Sequence, residues 1–426
     1  MVSIRAFRAI RPDPAQADQI VSVPYDVVDR DEARAMAEGK PASFLRVVRS
    51  DLEFPDDVDQ YDDVVYARAK ANLEKFISEG SLLRESEDCL YIYRLNRGGH
   101  QQTGLVAISA IDDYLNDVIK KHEFTRPEKE KDRTTHIDRL GANTGPVFLL
   151  YRSAEQAEIA KIMDGHADAN APLYDVSFDD GVRHRVYPVR PGELQTRLLE
   201  LFAKLKATYI ADGHHRAASA NSVGRMRREA AGTTANPGGH LFDYFLTVIF
   251  PDDQMAILPY NRAVKDLNGL TPADFLKKIE VNFSVRAGKH EPPGLHEANM
   301  YLAERPGDSA GKGAWYALTA RESTYQGADE INSLDVSVLQ NHLLAPVLDI
   351  ADPRTSDRIA FVGGIRGDAE LERLVHSGKF AVAFAMPPVT TGQLLDVADA
   401  GKVMPPKSTW FEPKLRSGFL VHRFDA

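Results

Sequence analysis

The stretch "ATYIADGHHRAASANSVGRMRREAA", residues 207–231, runs from strand formers through Asp212-Gly213 into an alanine- and arginine-rich segment that propagates a helix. A strand opening directly into a helix predicts an α/β arrangement. The neighbouring chain repeats the alternation: "GPVFLLYR" reads as a buried strand, "SAEQAEIAKIMDG" as a helix capped by Ser153, "HRVYPVR" as a strand and "ELQTRLLELFAKL" as a helix. Beyond the helix, "FDYFLTVIFP" and "MAILPYN" read as strands joined by a turn at Asp252-Asp253.

Further out, Val65, Ala69, Leu73, Phe76 and Ile77 recur at helical spacing, with Gly80 as the stop. The strands "CLYIYRL" and "QTGLVAISAI" flank Asn96-Arg97-Gly98-Gly99, which is turn chemistry for a hairpin. Thr271-Pro272 opens another helix. Residues 286–313 are rich in Gly, Pro and charge and read as a surface insertion. "AWYALTA", "DRIAFVGG" and "KFAVAFAMPP" are late strands among helices, and "GKVMPPKSTWFEPKLRSGF" reads as a polar loop. The division this predicts is an α+β region over 1–150, an α/β core over 151–270 carrying the Asp-Gly-His-His-Arg motif, and an α/β region over 271–426.

With 426 residues the chain has length for roughly two or three domains. A net charge of −10 opposes a nucleic-acid binder that relies on bulk electrostatics. The single cysteine, Cys89, excludes an intrachain disulfide and a zinc site built from several thiolates. No signal-peptide core and no run of about 20 apolar residues occurs, so the expectation is a soluble cytoplasmic protein without a membrane partner.

Asp212-Gly213 followed by His214, His215 and Arg216 puts free helix N–H groups, a helix dipole and a guanidinium in one place, which is hardware for an anion. Gly213 permits positive φ and close approach, and the planar fork of Arg216 matches two phosphate oxygens. Adjacent histidines diverge on a helix, so one can meet ligand while the other meets structure. The plain alternative makes Asp212 the cap and the remainder a solvated helix start.

In "IKKHEFTRPEKEKDRTTHIDRL", residues 119–140, Pro127 prevents one continuous helix and leaves His122 and Glu123 at a helix end or loop, with Asp132, Arg133 and His136 beyond. "SVPYDVVDRDEA", residues 22–33, offers Tyr25, Asp26 and Glu32, where Asp26 equally suits a turn. "PPKSTW" offers Lys407, Ser408 and Thr409 to a phosphate or base, or forms a surface loop. "GGIRGD" lacks dinucleotide or Walker spacing, and no common hydrolase, kinase or P-loop signature occurs.

"ADGHHRAASA" together with "VPYDVV", "KKHEFT", "NTGPVFLLY" and "MPPKSTWFEPKL" resembles the bacterial domain-of-unknown-function 1015 family over essentially the whole chain. The shorter "DGHHR" resembles the phosphate-binding motif of the ParB/sulfiredoxin-like superfamily, which includes an archaeal free-serine kinase that uses ADP. The resemblance implies a ParB/sulfiredoxin-like phosphate-binding core within a larger two-part mixed-sheet protein. It implies that Gly213, His214, His215 and Arg216 hold phosphate, that Asp212 lies beside the reacting hydroxyl, and that a glutamate, Glu123 or Glu32, serves as base. Tyr25, Asp26, His122, Arg133, Lys407, Ser408 and Thr409 complete the expected substrate-binding set.

Residues and resemblance meet on phosphoryl transfer, which asks a protein for positioning and charge stabilisation, with Arg216, Lys407 and the helix N-terminus neutralising developing charge and His214 or His215 alternatively receiving or delivering a proton. The first expectation is a nucleotide-dependent kinase acting on serine or a similar small hydroxylated metabolite, with Mg²⁺ and with ADP or ATP. An O-phosphoserine phosphatase that needs no nucleotide is the second. The third is a non-catalytic, ParB-like nucleotide-binding switch. Metal ligands and oligomeric state are not fixed by these residues.

Overall fold

The alternation around Gly213 builds one broad mixed sheet. A computed structural model describes residues 1–233, 238–307 and 312–425, and its contacts separate two units, Met1–Met255 with Pro413–Ala426, and Ala256–Glu412. The chain therefore divides differently from the three expected regions. The strand Val147–Tyr151 lies beside both Thr208–Asp212 and Tyr244–Pro251, so a border near residue 150 would cut through a sheet. Residues 256–270 already belong to the second unit.

In the first unit eight strands follow the order Ile119–Lys120, Thr208–Asp212, Val147–Tyr151, Tyr244–Pro251, His100–Ala110, Leu90–Arg97, Val182–Val189, Tyr174–Ser177, with Ile4–Arg5 pairing on His100–Ala110. Two pairings are parallel, Thr208–Asp212 with Ile119–Lys120 and Tyr244–Pro251 with Val147–Tyr151; the others are antiparallel. The expected hairpin closes at Gly98-Gly99, where Arg97 faces His100 and Gly98 takes φ 56°. Strands buried on both faces read as continuous apolar runs, and "VFLLY" is buried at every position.

Helix His214–Ala230 lies against this sheet through Ala217, Ala220 and Val223, in a core shared with Ile210, Leu149 and Phe245. Helix Pro127–Leu140 packs on the same helix, and Asp63–Ser78 starts from an Asp62 cap and buries Ala69, Leu73 and Phe76 in an adjoining core. Ser153 accepts from Glu155 N–H at 3.0 Å in the turn before helix Gln156–Ala169 rather than sitting at its cap position.

Helix His214–Ala230 is also fixed at its far end. The buried Arg228 guanidinium makes two bonds to Asp112 (2.7 and 2.8 Å) and a third to Asp243, which is fully buried. A buried charge of this kind is tolerated because each of its three nitrogens donates to a carboxylate.

The second unit holds an antiparallel sheet in the order Phe283–Ala287, Gly313–Ala320, Glu297–Ala303, Val382–Ala385, Tyr260–Val264, Ile359–Gly363. The expected surface insertion over 286–313 differs here. Its "EANMYLA" stretch is an inner strand, hidden in the sequence by the Gly-, Pro- and charge-rich flanks, while residues 308–311 of that expectation lie outside the described residues. The loop expected over 401–419 likewise contains the strand Trp410–Glu412, paired with Ala256–Leu258. Among the described residues no helix is long and apolar enough to cross a membrane.

Candidate active site

Strand Thr208–Asp212 ends at Gly213, whose φ of 96° turns the chain into helix His214–Ala230. A side chain there would be strained, and its Cβ would also stand 3.0 Å from the Arg216 guanidinium carbon. Among the described residues no side chain caps this helix start, so the N–H groups of its first turn have no side-chain acceptor.

Asp212 does not act as that cap. One of its oxygens accepts from Arg216 at 2.7 Å and the other from Lys414 at 3.2 Å. Burial pushes the Asp212 carboxyl up, but the two cations outweigh it and hold it well below the usual carboxylate range. The second terminal nitrogen of Arg216 donates to the Pro146 carbonyl. Both ends of the fork expected to take phosphate are thus on protein acceptors, and Arg216 ties the motif to the loop before Val147–Tyr151.

The two histidines diverge as expected, and the loop between Lys120 and Pro127 meets both. His122 N–H donates to Nε2 of His214 (3.5 Å), and Arg126 N–H donates to Nε2 of His215 (3.0 Å). An accepting Nε2 leaves the proton of each neutral ring on Nδ1. In His214 that atom lies 3.6 Å from the Glu123 carboxylate, and the ring stands edge-on to His122 with centroids 4.5 Å apart. Burial lowers the pKa of His214, with His122 adding to it, and burial lowers His122 itself to about 4. Burial and then Arg126 lower His215. All three rings are neutral near pH 7. Pro127 stands at the first position of helix Pro127–Leu140, so His122 and Glu123 occupy a loop, as the sequence predicts.

Tyr25 and Asp26 form a turn. The Asp26 carboxylate is exposed yet its charge acts on Tyr25, His215 and Arg216 together. Arg133 stacks over the Tyr25 ring at 4.1 Å and holds Asp132 through two bonds of 2.9 and 3.0 Å. Tyr66 donates to the same Asp132 at 2.8 Å. Next to it His136 meets the Val47 carbonyl at 3.0 Å. Between these groups and Arg216 lies a cavity of about 30 Å³, lined by Tyr25, Arg133, Asn143, Gly145 and Ser417 on its polar side and by Val48, Ile137, Val147 and Phe245 on its apolar side.

Two expected groups stand elsewhere. Glu32 accepts from Asp29 N–H at 2.9 Å in a capping box that starts helix Arg30–Ala37, so its carboxylate is committed to that helix. Lys407, Ser408 and Thr409 belong to the second unit, where the Lys407 ammonium lies 5.4 Å from the Tyr260 ring centre and Ser408 donates to the Pro405 carbonyl. The lysine that reaches Asp212 is Lys414, a few residues on in the same quoted stretch. Composition of the loop offered both lysines; only the return of Pro413–Ala426 to the first unit separates them.

The family described as a protein of unknown function, DUF1015, matches residues 4–337. No curated protein matches the chain. Among solved structures, SbnI with a C-terminal truncation, from Staphylococcus aureus, is 10% identical with a TM-score of 0.38, over 73% of this chain and 85% of that one. A free serine kinase in complex with AMP is 13% identical with a TM-score of 0.33, over 74% and 91%. A conserved hypothetical protein from Pyrococcus furiosus is 14% identical with a TM-score of 0.32, over 74% and 95%.

Proposed function

The chain belongs to the DUF1015 family, and from that premise we propose that its first unit binds the phosphate of a nucleotide or phosphorylated metabolite and carries out phosphoryl transfer with a small hydroxylated metabolite, serine or O-phosphoserine. The observation that carries the reading is the uncapped start of helix His214–Ala230 beside an Asp212 that already holds two cations. Arg216 and Lys414 flank the single carboxylate of Asp212, and the positive end of the helix dipole adds to the two cations. A phosphate is the anion such a place stabilises best.

In this reading the first-turn N–H groups, those of His214 and His215 among them, take phosphate oxygens. Lys414 offsets charge as it develops on the transferred group. Arg216 holds Asp212 and the Pro146 loop in place and contributes its charge from beneath. Glu123, half exposed, takes the proton of the attacking hydroxyl, with Nδ1 of the neutral His214 3.6 Å from its carboxylate. Asp212 keeps its charge and lies beside the reacting hydroxyl without receiving its proton, since both of its oxygens are engaged.

The residues do not fit a protein-held Mg²⁺. Among the described residues no group of three His, Cys, Asp or Glu side chains is arranged to hold a metal, and the Asp212 oxygens face cations. ADP or ATP is the donor class that suits the phosphate site. A net charge of −10 leaves a nucleic-acid partner out of this reading, and a buried free Cys89 accords with the cytoplasm.

The test is release of phosphate and serine from O-phosphoserine with Mg²⁺, run without nucleotide and with AMP or ADP, and repeated on Arg216→Ala. Turnover that needs AMP or ADP and is lost in the variant supports the kinase. Release without nucleotide replaces it by a phosphatase. Nucleotide binding with no turnover of any hydroxylated metabolite leaves a non-catalytic switch.

A further inference from the structure

We infer that the cavity beneath Arg216 is a binding site for the carboxylate of a small hydroxy or amino acid. Polar groups converge on it that the fold leaves unspent. Arg216 Nε, in a residue only 8% exposed, and Asn143 Oδ1, in one 5% exposed, are buried without a hydrogen-bond partner among the described residues. Arg133 uses Nε and one terminal nitrogen on Asp132, and its other terminal nitrogen makes no bond among the described residues. The Tyr25 hydroxyl lines the same space, again with no hydrogen bond among the described residues.

A buried donor left unpaired is a cost that native interiors avoid unless something else fills the role. Here the unspent groups include two guanidinium N–H donors and a phenol, together with one amide oxygen. That set describes an anion carrying a donor of its own. The guanidinium groups of Arg133 and Arg216, partnered by Asp132 and Asp212, give the cavity N–H donors that suit an anionic group.

Shape selects further. A cavity of about 30 Å³ with Val147 and Phe245 on its apolar wall has room for two or three water-sized groups, enough for a carboxylate group and too small for a nucleobase. Asn143 Oδ1 faces the ligand's hydroxyl or ammonium. The inference rests on the phosphoryl-transfer reading only for its role: the cavity holds the carboxylate of the acceptor while the phosphate lies at the helix start.

The experiment is calorimetric titration of the full-length protein with L-serine, glycolate and L-serinamide, without nucleotide, and separately with ADP. L-serine and glycolate should bind, and L-serinamide, which lacks the carboxylate, should bind at least about ten-fold more weakly. Tyr25→Phe and Asn143→Ala should each weaken L-serine roughly five- to ten-fold and leave ADP affinity unchanged. Equal binding of L-serine and L-serinamide overturns the inference, as does unchanged L-serine affinity in both variants. A crystal soaked in glycolate that shows only water in the cavity overturns it too. If ADP fails to bind while L-serine binds as described, the phosphoryl-transfer reading falls and the carboxylate site stands; ADP binding without either carboxylate is the reverse.

Discussion

Lys414 Nζ lies 3.2 Å from the Asp212 carboxylate, across 202 residues of chain, and completes a three-membered cluster with Arg216. The contact brings a second cation to the motif and secures the segment after Pro413 to the sheet edge. It also sets the protonation of Asp212, whose folded-state pKa is depressed. Such a group contributes stability above its unfolded pKa, near ~3.9, and that contribution is lost as pH falls through the lower folded value.

Lys414→Met is therefore expected to weaken ADP binding about ten-fold, in line with the loss of one charge-assisted contact. It should also raise the carboxyl pKa of Asp212 toward the ordinary range. Calorimetry and a carboxyl-carbon NMR titration check the two halves. Unchanged affinity would remove Lys414 from the anion site.

Glu123→Gln should preserve nucleotide binding while lowering turnover by about 10² to 10⁴. The side chain is 52% exposed, so the melting temperature should hardly move. Steady-state rates beside an ADP titration decide it. A fall in affinity with turnover retained would make Glu123 a binding group instead.

Gly213→Ala combines a positive φ with a Cβ that meets the Arg216 guanidinium at 3.0 Å. The backbone strain alone costs about 1–3 kcal/mol. Denaturant unfolding should register at least that loss, because Arg216 is held by Asp212 and Pro146 and cannot step aside cheaply. A variant as stable as the parent would mean that the turn relaxes.

Arg228→Met leaves Asp243, which is fully exposed to no solvent, without its cation. Breaking a buried pair by removing one partner costs about 3–5 kcal/mol. Equilibrium unfolding of Arg228→Met against an Arg228→Met/Asp243→Asn double variant measures it. The double variant should recover part of the loss, and failure to do so would assign the cost to packing.

Acid should undo the first unit before the second. Burial lowers His122, His136 and His422 to about 4 and His184 to about 3. The unfolded chain therefore binds more protons than the folded one between about pH 6.5 and those values. Stability is complete above about pH 6.5 and falls by about 1.4 kcal/mol per histidine per pH unit below it. In the second unit, burial raises Asp335 to about 6, which has the opposite sign: from pH 6 downward the folded form gains the proton. Both tryptophans, Trp315 and Trp410, belong to the second unit. On acidification circular dichroism should change at a higher pH than tryptophan fluorescence; a single shared midpoint would refute the ordering.

The elements around Gly213 were legible because each carried its own period: continuous apolar strands, an alanine-rich helix, a glycine between them. Pro127 likewise located His122 and Glu123 in a loop from its missing N–H and fixed φ. Glu32 was misleading for a physical reason. A glutamate three residues after Asp29 fits a capping box as well as a base, and the local box formed. The inner strand Glu297–Ala303 is hidden in the sequence by its Gly-, Pro- and charge-rich flanks, and Lys414 is indistinguishable from Lys407 because nothing local marks where a chain returns to an earlier unit. Long-range pairings such as Ser22 with Ser417 and Ile10 with Val421 have no signature in either segment.

The discontinuity of the first unit imposes an order in time. A ribosome that has made residues 1–255 has produced Asp212, Gly213 and Arg216 but not Lys414, and it must add the 157 residues of 256–412 before Pro413 appears. At a synthesis rate of about 5–20 residues per second that interval is roughly ten to thirty seconds. Throughout it the nascent sheet carries Asp212 with one cation and Ile10 without Val421. Pairing of Asp212 with its second cation is thus a late event in the making of each molecule, and a fragment ending before Pro413 would present the motif without Lys414.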